Sequence, residues 1–236
     1  MNWPERVWIY SPLRPLFQAR EVAKWLRQAP PIYRDSALEI GCGLGRGAKL
    51  IVEKMRFKHV YAFDLEQKLV QRALCGRPAH LGNEISFFVA DAQDLPFPNS
   101  YFDAIVNFGI IHHVLDWRRC ISEVGRVIRP GGTFYFEEIY PPLYANFLLK
   151  RILQHPTEDR FNGPQFLEAL ESENFGLQKE CAHPPDSGSW ALPGRLNKAR
   201  ILNRKRRESS LKSFLSAFQL RSDILCLWFG VNRSLK

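Results

Sequence analysis

A glycine-rich turn joins a predicted strand to a predicted helix near the start of the chain. A short apolar run that includes Glu39 leads into the turn, whose glycines are Gly41, Gly43 and Gly45. Glycine tolerates positive φ and lets the backbone approach a ligand closely. The residues that follow have a helical pattern, so backbone N–H groups at the helix start would face the same ligand. Strand, turn and helix together predict a nucleotide-type site in an α/β fold.

Three further predicted strands follow this turn, and each ends in polar residues. Asp64 ends the second strand, Asp91 the third and Asn107 the fourth. An acidic residue about 20 positions after the glycine turn, at the tip of the next strand, suits two ribose hydroxyls. Open α/β sheets bind ligands at the carboxyl ends of their strands. The spacing therefore predicts one site shared by these strand ends.

Two other nucleotide-binding classes are excluded by the spacing of the turn. A nicotinamide or flavin dehydrogenase has G-x-G-x-x-G or G-x-G-x-x-A, whereas the sixth position counted from Gly41 is Arg46. A phosphate-binding Walker loop ends in Gly-Lys-Ser or Gly-Lys-Thr, and this turn has no such ending. The third glycine falls at Gly45 instead, which gives the pattern G-x-G-x-G.

Together with the later phrase from Glu123 to Thr133, these segments resemble the class I S-adenosylmethionine-dependent methyltransferases. They are most similar to the small-molecule enzymes around the ubiquinone and menaquinone C-methyltransferases, with a methyltransferase type 11-like domain. The resemblance covers about residues 35–140. It implies a Rossmann-like α/β fold with a seven-stranded, mostly parallel sheet, helices on both faces and an antiparallel last strand. It also implies S-adenosyl-L-methionine as the cofactor.

The resemblance assigns roles to particular residues of the cofactor site. Glu39 would attract the ammonium group of the cofactor, and Asp64 would accept hydrogen bonds from its ribose. Asp91 would accept from the adenine amino group, with a backbone contact from Ala92 and an apolar wall from Leu65 nearby. The end of the fourth strand would lie near the reacting methyl group. No metal site is predicted, and the predicted cofactor-binding residues are Glu39, Gly41, Cys42, Gly43, Gly45, Asp64, Leu65, Asp91, Ala92, Asn107 and Phe108.

Two adjacent histidines, His112 and His113, are the first candidates for a catalytic base. Methyl transfer is an in-line displacement, in which the protein mainly positions the nucleophile and excludes water. A base is needed only when the acceptor arrives protonated, and imidazole titrates near neutrality. Either histidine could equally serve only for packing or helix capping. Glu137, Glu138 and Tyr140 are second candidates, and the carboxylate pair could also orient a cationic acceptor.

The chain divides into an N-terminal helical cap, residues 1–34, and a methyltransferase domain, residues 35–236. The last two strands are predicted over residues 176–183 and 223–233. A basic insertion at about 184–222 separates them, and connections of this length are often functional. The helix of the cap is predicted to face the core with an apolar stripe, formed by Leu16, Ala19, Val22, Ala23 and Leu26.

The positive charge of the chain is concentrated in the basic insertion. The formal net charge is +9, and residues 195–212 contain eight Lys or Arg against one acidic residue. Three interpretations remain open: a solvated loop, a peripheral membrane contact through residues 195–218, and a nucleic-acid contact. The turn after the fourth strand begins Asn107-Phe-Gly-Ile, without the Pro-Pro clamp of nucleobase amino-methyltransferases. Its absence argues against a flipped adenine as the acceptor.

The composition predicts a cytoplasmic protein, with membrane association as an open alternative. The start of the chain is too polar for a secretory signal, and no run of about 18 apolar residues is present. The five cysteines are scattered and never form C-x-x-C, which is typical of reduced thiols. Cys42, inside the glycine turn, is interpreted as a small residue that fits there and not as a nucleophile.

The sequence thus predicts a methyltransferase that acts on a small molecule. Aromatic residues near the start of the chain favour a lipophilic acceptor, although they are equally compatible with core packing: Trp3, Trp8, Tyr10 and Phe17. Two alternatives remain, an RNA methyltransferase that uses the basic insertion and a non-catalytic cofactor-binding partner subunit. The acceptor, the methylated atom and the oligomeric state stay open.

Overall fold

The structure, a computed structural model, describes residue 7 and residues 9–139, 161–177 and 189–196. Its central element is a parallel sheet of five strands, which confirms the Rossmann-like α/β prediction. The strands are β1 (Ser36–Ile40), β2 (His59–Asp64), β3 (Ile85–Val89), β4 (Phe102–Phe108) and β5 (Ile128–Ile139). Their order across the sheet is β3-β2-β1-β4-β5, and all neighbouring pairs are parallel.

Helices alternate with these strands and pack against the sheet. All seven residues of β4 are buried, which requires cover on both faces, as in other parallel sheets. Among the helices that the structure describes, none combines the length and the apolar composition needed to cross a bilayer. The helices are α1 (Arg14–Gln28), α2 (Arg46–Glu53), α3 (Gln67–Gly76), α4 (Trp117–Val127) and α5 (Gly163–Ser172), with 3-10 turns at Ala79–Leu81 and Ile111–His113.

The strand order reverses at β1, which lies between β2 and β4. Glu39, near the carboxyl end of β1, is in register with Ala62 of β2 and Val106 of β4. The carboxyl ends of the three strands therefore meet at one edge of the sheet. This reversal is the topological switch point at which open α/β sheets bind ligands.

Helix α1 packs on the sheet through a different stripe from the predicted one. Val22 is buried as expected, but Leu16 is 67% exposed, whereas Gln18 and Trp25 are buried. Trp25 stacks on Phe108 with ring centroids 5.3 Å apart. The large aromatic ring buries more apolar surface than the small side chains of the predicted stripe, so it determines the rotation of the helix. The buried Gln18 then lies on the same face as Trp25, seven positions or about two helical turns earlier.

Beyond β5 the described part of the sheet continues with two more strands, β6 (Phe175–Leu177) and β7 (Ser189–Leu196). Strand β7 runs antiparallel to both β5 and β6 and lies between them. Its residues belong to the segment predicted as a basic insertion. They include Pro193 and Gly194, and both residue types argue against a strand when only the sequence is read. The strand predicted over 223–233 and most of the insertion lie outside the described residues and stay predictions.

Candidate functional site

The glycine turn has the backbone conformation that the sequence predicted. Gly41, Gly43 and Gly45 all have positive φ, between 52° and 76°. Gly45 precedes α2 directly and is in the left-handed region, which side chains other than glycine rarely adopt. The N–H of Cys42 donates to the carbonyl of Phe63 (2.8 Å), which ties the turn to the end of β2. The turn therefore lies at the carboxyl edge of the sheet.

Cys42 is buried inside this turn and is 5% exposed. Burial raises the pKa of its thiol well above the usual range, and the nearby Glu39 and Asp64 raise it further. A thiol with a raised pKa is a poor nucleophile, because the thiolate is the reactive form. The structure thus agrees with the interpretation of Cys42 as a small residue that fits the turn.

Glu39 is buried against the first turn of α2. A Cβ atom on Gly47 would lie 1.9 Å from Glu39 Oε1, so the carboxylate occupies the space that a side chain at this position would need. Burial raises the pKa of Glu39 well above its usual range, while Arg14 and the N–H of Ala48 lower it. Among the described residues, Glu39 Oε2 is buried without a hydrogen-bond partner. Such an atom costs free energy, and a cationic or N–H ligand group would remove that cost.

Asp64 connects the glycine turn to the start of the next segment. Its Oδ2 accepts from the N–H of Gly43 (2.9 Å), and its Oδ1 accepts from the N–H of Glu66 (3.0 Å). Burial raises the pKa of Asp64, and these two hydrogen bonds oppose the change. A carboxylate has about four acceptor positions, so two remain for the predicted ribose hydroxyls. Leu65, next to Asp64, is 72% exposed, and its role as an apolar wall of the cofactor site stays a prediction.

Asp91 lies in the loop after β3 and is exposed, with the buried Ala92 next to it. Its Oδ1 accepts from both the backbone N–H (2.9 Å) and the side-chain amide (3.0 Å) of Gln93. The side-chain oxygen of Gln93 in turn accepts from the N–H of Asp116 (3.1 Å), the residue that caps α4. Gln93, which the sequence analysis did not select, therefore fixes the position of Asp91.

The two predicted residues at the end of β4 have their side chains in the protein interior. Asn107 Nδ2 donates to Glu138 Oε1 (2.6 Å), and Asn107 Oδ1 accepts from the N–H of Ile110 (3.0 Å). Phe108 is 5% exposed and packs against Trp25. Their assignment as cofactor contacts stays a prediction.

The two predicted catalytic histidines lie in different environments. His112 Nδ1 lies 2.7 Å from Oε2 of the fully buried Glu138, whereas the His113 side chain is exposed. Glu138 Oε1 also accepts from the N–H of Ile111 (2.8 Å). When Nδ1 donates to Glu138, the neutral imidazole has its acceptor at Nε2. This arrangement could orient His112 as a base, and that role stays a prediction.

The comparison with known sequences decides the family. Residues 38–136 match the family described as "Methyltransferase domain". These residues therefore form a methyltransferase domain, as that family is described. The matched range begins in β1 and ends in β5, so it contains every predicted cofactor-binding residue.

Several known proteins are similar to this methyltransferase domain. The fatty-acid O-methyltransferase of Mycolicibacterium smegmatis is 36% identical over 104 residues, which are 44% of this chain and 37% of that protein. A probable S-adenosylmethionine-dependent methyltransferase of the same organism is 32% identical over 164 residues, 65% of this chain and 60% of that protein. The chain thus spans between 37% and 60% of the length of these relatives.

A solved structure shows the same fold. The S-adenosylmethionine-dependent methyltransferase from Aquifex aeolicus superposes with a TM-score of 0.62, covering 83% of this chain and all of that chain at 16% identity. At this identity the likeness concerns the fold of the methyltransferase domain and not its acceptor.

The residues of the methyltransferase domain fit its cofactor. S-adenosylmethionine supplies an electrophilic methyl group on a sulfonium, together with an ammonium, a carboxylate, a ribose and an adenine. The unpartnered Glu39 Oε2 suits the ammonium, and the open acceptor positions of Asp64 suit the ribose. Gly47 completes the site, because only a residue without a side chain leaves room for the Glu39 carboxylate. The sequence analysis missed this fourth glycine, although it follows Gly45 by two positions.

Helix α1 also brings polar residues to the methyltransferase site, which the sequence analysis did not foresee. Arg14 and Gln18 line a cleft with Gly43 and Gly47 of the glycine turn and α2. The two α1 residues are four positions apart and share a helical face. A polar pair on the same face as the buried Trp25 was the available signal in the sequence.

Glu137, at the end of β5, is a second buried carboxylate of the methyltransferase domain. Burial raises its pKa to about 7; Glu21 of α1 and Glu138 raise it further, while Arg14 and Lys24 oppose them. Glu137 therefore interacts with both acidic and basic side chains of α1, whereas the adjacent Glu138 accepts from the turn at 111–113. The predicted carboxylate pair of Glu137 and Glu138 is split between two environments.

The raised pKa of Glu137 predicts a pH-dependent stability. The folded state holds the proton up to about pH 7, whereas an unfolded chain releases it near pH 4.3. The stability that this group contributes is therefore present at low pH and lost as the pH rises through 7. We expect Glu137→Gln to be more stable than the wild type at pH 8 but not at pH 4.

Urea denaturation at pH 4, 5, 6, 7 and 8 measures this difference. Glu168→Gln, a neutralised exposed residue of α5, is the control and should show no such trend. A constant difference between Glu137→Gln and wild type at all pH values would contradict the assignment.

Proposed function

We propose that this protein transfers a methyl group from S-adenosyl-L-methionine to a small lipophilic acceptor. The observation that carries the proposal is the buried Glu39 Oε2, which has no hydrogen-bond partner among the described residues and lies next to the glycine turn and Asp64. Such an atom is explained by a ligand with an ammonium group. The proposal includes a cytoplasmic location and peripheral membrane contact through residues 195–218, which lie almost entirely outside the described residues.

A lipophilic acceptor is supported by exposed apolar side chains at the start of α1. Leu13, Leu16 and Phe17 are between 50% and 67% exposed, and Tyr10 is 37% exposed. Clustered exposed apolar residues mark surfaces that bind apolar partners. For Tyr10 and Phe17 this exposure favours an acceptor or membrane contact over core packing, whereas Trp3 and Trp8 lie outside the described residues. The similarity to a fatty-acid O-methyltransferase points to the same class of acceptor.

The charges around the site argue against RNA as the acceptor. Glu39, Asp64 and Glu137 lie close enough to Arg14 to act on its charge. Burial raises the pKa of all three carboxyls, and a cationic group, such as the sulfonium or ammonium of the cofactor, favours their charged forms, whereas a phosphate disfavours them. The positive charge of the chain lies instead in residues 195–212. RNA methylation therefore remains an outcome of the test and not the proposal.

The chain's own residues would position the acceptor and take up its proton. A carboxylic acid is ionised at neutral pH and needs no base, whereas a phenol must lose a proton. The contact with Glu138 would hold His112 so that Nε2 can accept that proton. The exposed apolar residues of α1 would keep water from the reacting groups.

An acceptor panel tests the proposal and the role of His112 together. We would measure S-adenosylhomocysteine formed from palmitic acid, 4-nonylphenol and total tRNA. Turnover of either lipophilic acceptor is expected, and His112→Asn should slow 4-nonylphenol methylation about 100-fold or more while leaving that of palmitic acid nearly unchanged. Turnover of tRNA alone would favour the RNA alternative. Cofactor binding without turnover of any acceptor would favour the non-catalytic subunit.

A further inference from the structure

Helix α1 presents an exposed stripe of apolar and basic side chains. Leu13, which directly precedes the helix, and Leu16 are 55% and 67% exposed. Arg20, Ala23 and Arg27 are exposed further along the helix. Successive members of this set are three or four positions apart, so all five residues lie on one side of α1. They form the outer stripe of α1.

The opposite side of α1 supplies the packing that the fold requires. Val22 is 1% exposed, Trp25 is fully buried, and Trp25 stacks on Phe108. A surface helix that packs on one side normally has polar side chains on the other. The apolar end of the outer stripe departs from this pattern, and clustered exposed apolar residues mark sites of interaction. The fold itself therefore does not explain the two leucines of the outer stripe.

The outer stripe carries positive charge without a compensating acidic residue. Glu21 is the single acidic residue of α1, and its side chain is 20% exposed. Its Oε2 lies 3.8 Å from Lys24 Nζ, so the negative charge of Glu21 is paired within the helix. The outer stripe itself has two arginines and no acidic residue. Such a surface is complementary to an anionic partner.

The order of residues along the outer stripe matches a lipid surface. From Leu16 to Arg27 the stripe extends about 16 Å at a rise of 1.5 Å per residue, with the leucines at one end and the arginines towards the other. Helices that lie in a bilayer interface combine apolar side chains with Lys or Arg, and anionic lipids attract these basic residues. In a symmetric pair with a second copy the stripe would meet itself, so arginines would face arginines or leucines.

We propose that the outer stripe of α1 docks on an anionic lipid bilayer. Leu13 and Leu16 enter the apolar boundary of the bilayer, and Arg20 and Arg27 bind lipid phosphates. This contact is distinct from the one through residues 195–218, because it uses other residues and needs apolar insertion as well as charge.

The inference rests on the proposed function, since a lipophilic acceptor dissolves in the bilayer. Gln18, on the packed side of α1, lines the cleft beside the glycine turn. Docking through the outer stripe would therefore bring this cleft close to the lipid surface. An acceptor could then reach the site without crossing water.

Co-sedimentation of the full chain with lipid vesicles measures the docking. The vesicles contain either phosphatidylcholine alone or equal parts of phosphatidylcholine and phosphatidylglycerol. We expect the wild type to bind the mixed vesicles and to bind pure phosphatidylcholine much more weakly. Arg20→Gln/Arg27→Gln should weaken binding to mixed vesicles roughly 25-fold, about fivefold for each arginine. Leu16→Ser should weaken it roughly tenfold, as for the loss of a buried apolar side chain.

Helix α4 provides control positions, because it lies on the opposite face of the sheet from α1. Trp25 of α1 packs against Tyr135 of β5. The next residue of β5, Phe136, packs against Phe166, which also contacts Trp117 of α4. Adjacent residues of a strand point to opposite faces, so α1 and α4 are on different sides.

The controls change the same residue types as the variants of the outer stripe. Arg118→Gln/Arg119→Gln removes two exposed arginines of α4, and Leu115→Ser removes a leucine that is 73% exposed before this helix. Both controls should bind the mixed vesicles nearly like the wild type. Urea denaturation should show that all these variants are about as stable as the wild type, since each changes exposed residues.

Four results would overturn the inference. They are no binding of the wild type to mixed vesicles, equal losses for stripe and control variants, binding that the stripe variants leave unchanged, and a wild-type dimer that Leu16→Ser dissociates in size-exclusion chromatography. The third result would assign the membrane contact to residues 195–218, and the fourth would assign the outer stripe to a second copy. Vesicle binding needs neither cofactor nor acceptor. A wild type that binds mixed vesicles but methylates no acceptor would therefore contradict the proposed function alone.

Discussion

Replacing Gly47 with alanine is expected to destabilise the protein and to impair cofactor binding. Replacing a helical glycine with alanine usually raises the free energy of unfolding by up to about 1 kcal/mol. Here the new Cβ would lie 1.9 Å from Glu39 Oε1 and 2.8 Å from Phe108 Cε2, and neither buried side chain can move aside freely. Overpacking costs ~1–3 kcal/mol, so the sign of the usual effect should reverse. Displacement of Glu39 should weaken the binding of S-adenosylhomocysteine at least about tenfold.

Gly76→Ala is the control for this substitution. Gly76 ends α3, and a Cβ there would meet no atom within 4 Å. We expect its free energy of unfolding and its cofactor affinity to equal or slightly exceed those of the wild type. Urea denaturation and calorimetric titration of both variants measure the two effects. A Gly47→Ala protein that is as stable as Gly76→Ala and binds the cofactor normally would contradict the geometry of the Glu39 site.

The second large effect is expected from Glu138→Leu. Glu138 is fully buried and meets three groups, Asn107 Nδ2, the N–H of Ile111 and His112 Nδ1. Leucine has a similar volume but accepts no hydrogen bond. Each buried donor left without an acceptor costs ~1–3 kcal/mol, so we expect the free energy of unfolding to fall by about 3 kcal/mol at pH 7.5. The loss should loosen the turn that carries both histidines.

The adjacent residue gives a matched control with the opposite expected sign. Glu137→Leu removes a carboxyl whose pKa burial has raised to about 7, so at pH 7.5 it removes an unfavourable charge. We expect its stability to be equal to or above that of the wild type. If Glu137→Leu and Glu138→Leu lost the same stability, the two carboxylates would not occupy the different environments described above.

The features that the sequence predicted best depend only on residues that are close together in the chain. The glycine turn and Asp64 belong to one strand–turn–helix segment and the following strand, and their backbone requirements can be read from the residue types. The structure placed them as expected, with the Gly43 N–H bound to Asp64. The five parallel strands could be predicted for the same reason, since each is a short apolar run.

The features that could not be predicted depend on contacts between segments that are distant in the sequence. His112 and Glu138 were each selected, but their contact requires the parallel pairing of β4 with β5. The place of Arg14 in the cleft beside the glycine turn depends on the rotation of α1, which the packing of Trp25 on Phe108 determines. Strand β7 was missed because the pairing with β5 overrides the weak strand propensity of its Pro and Gly.

The net positive charge of the chain does not describe the electrostatics of the candidate site. The net charge is +9, yet the site is surrounded by carboxylates whose pKa values burial raises. Burial raises a carboxyl pKa because it penalises the charged form, and carboxyls shifted in this way are typical of functional sites. A cationic ligand such as S-adenosylmethionine favours the charged form, whereas NAD, with its two phosphates, would disfavour it.

The most direct test of the account is a parallel calorimetric titration with S-adenosylmethionine, S-adenosylhomocysteine and NAD. We predict micromolar binding of the first two and no binding of NAD. Asp64→Ala should weaken the binding of S-adenosylhomocysteine by roughly 1.5–3 kcal/mol, the range for a lost charged hydrogen bond. Binding of NAD alone, or an Asp64→Ala protein with unchanged affinity for S-adenosylhomocysteine, would contradict the account.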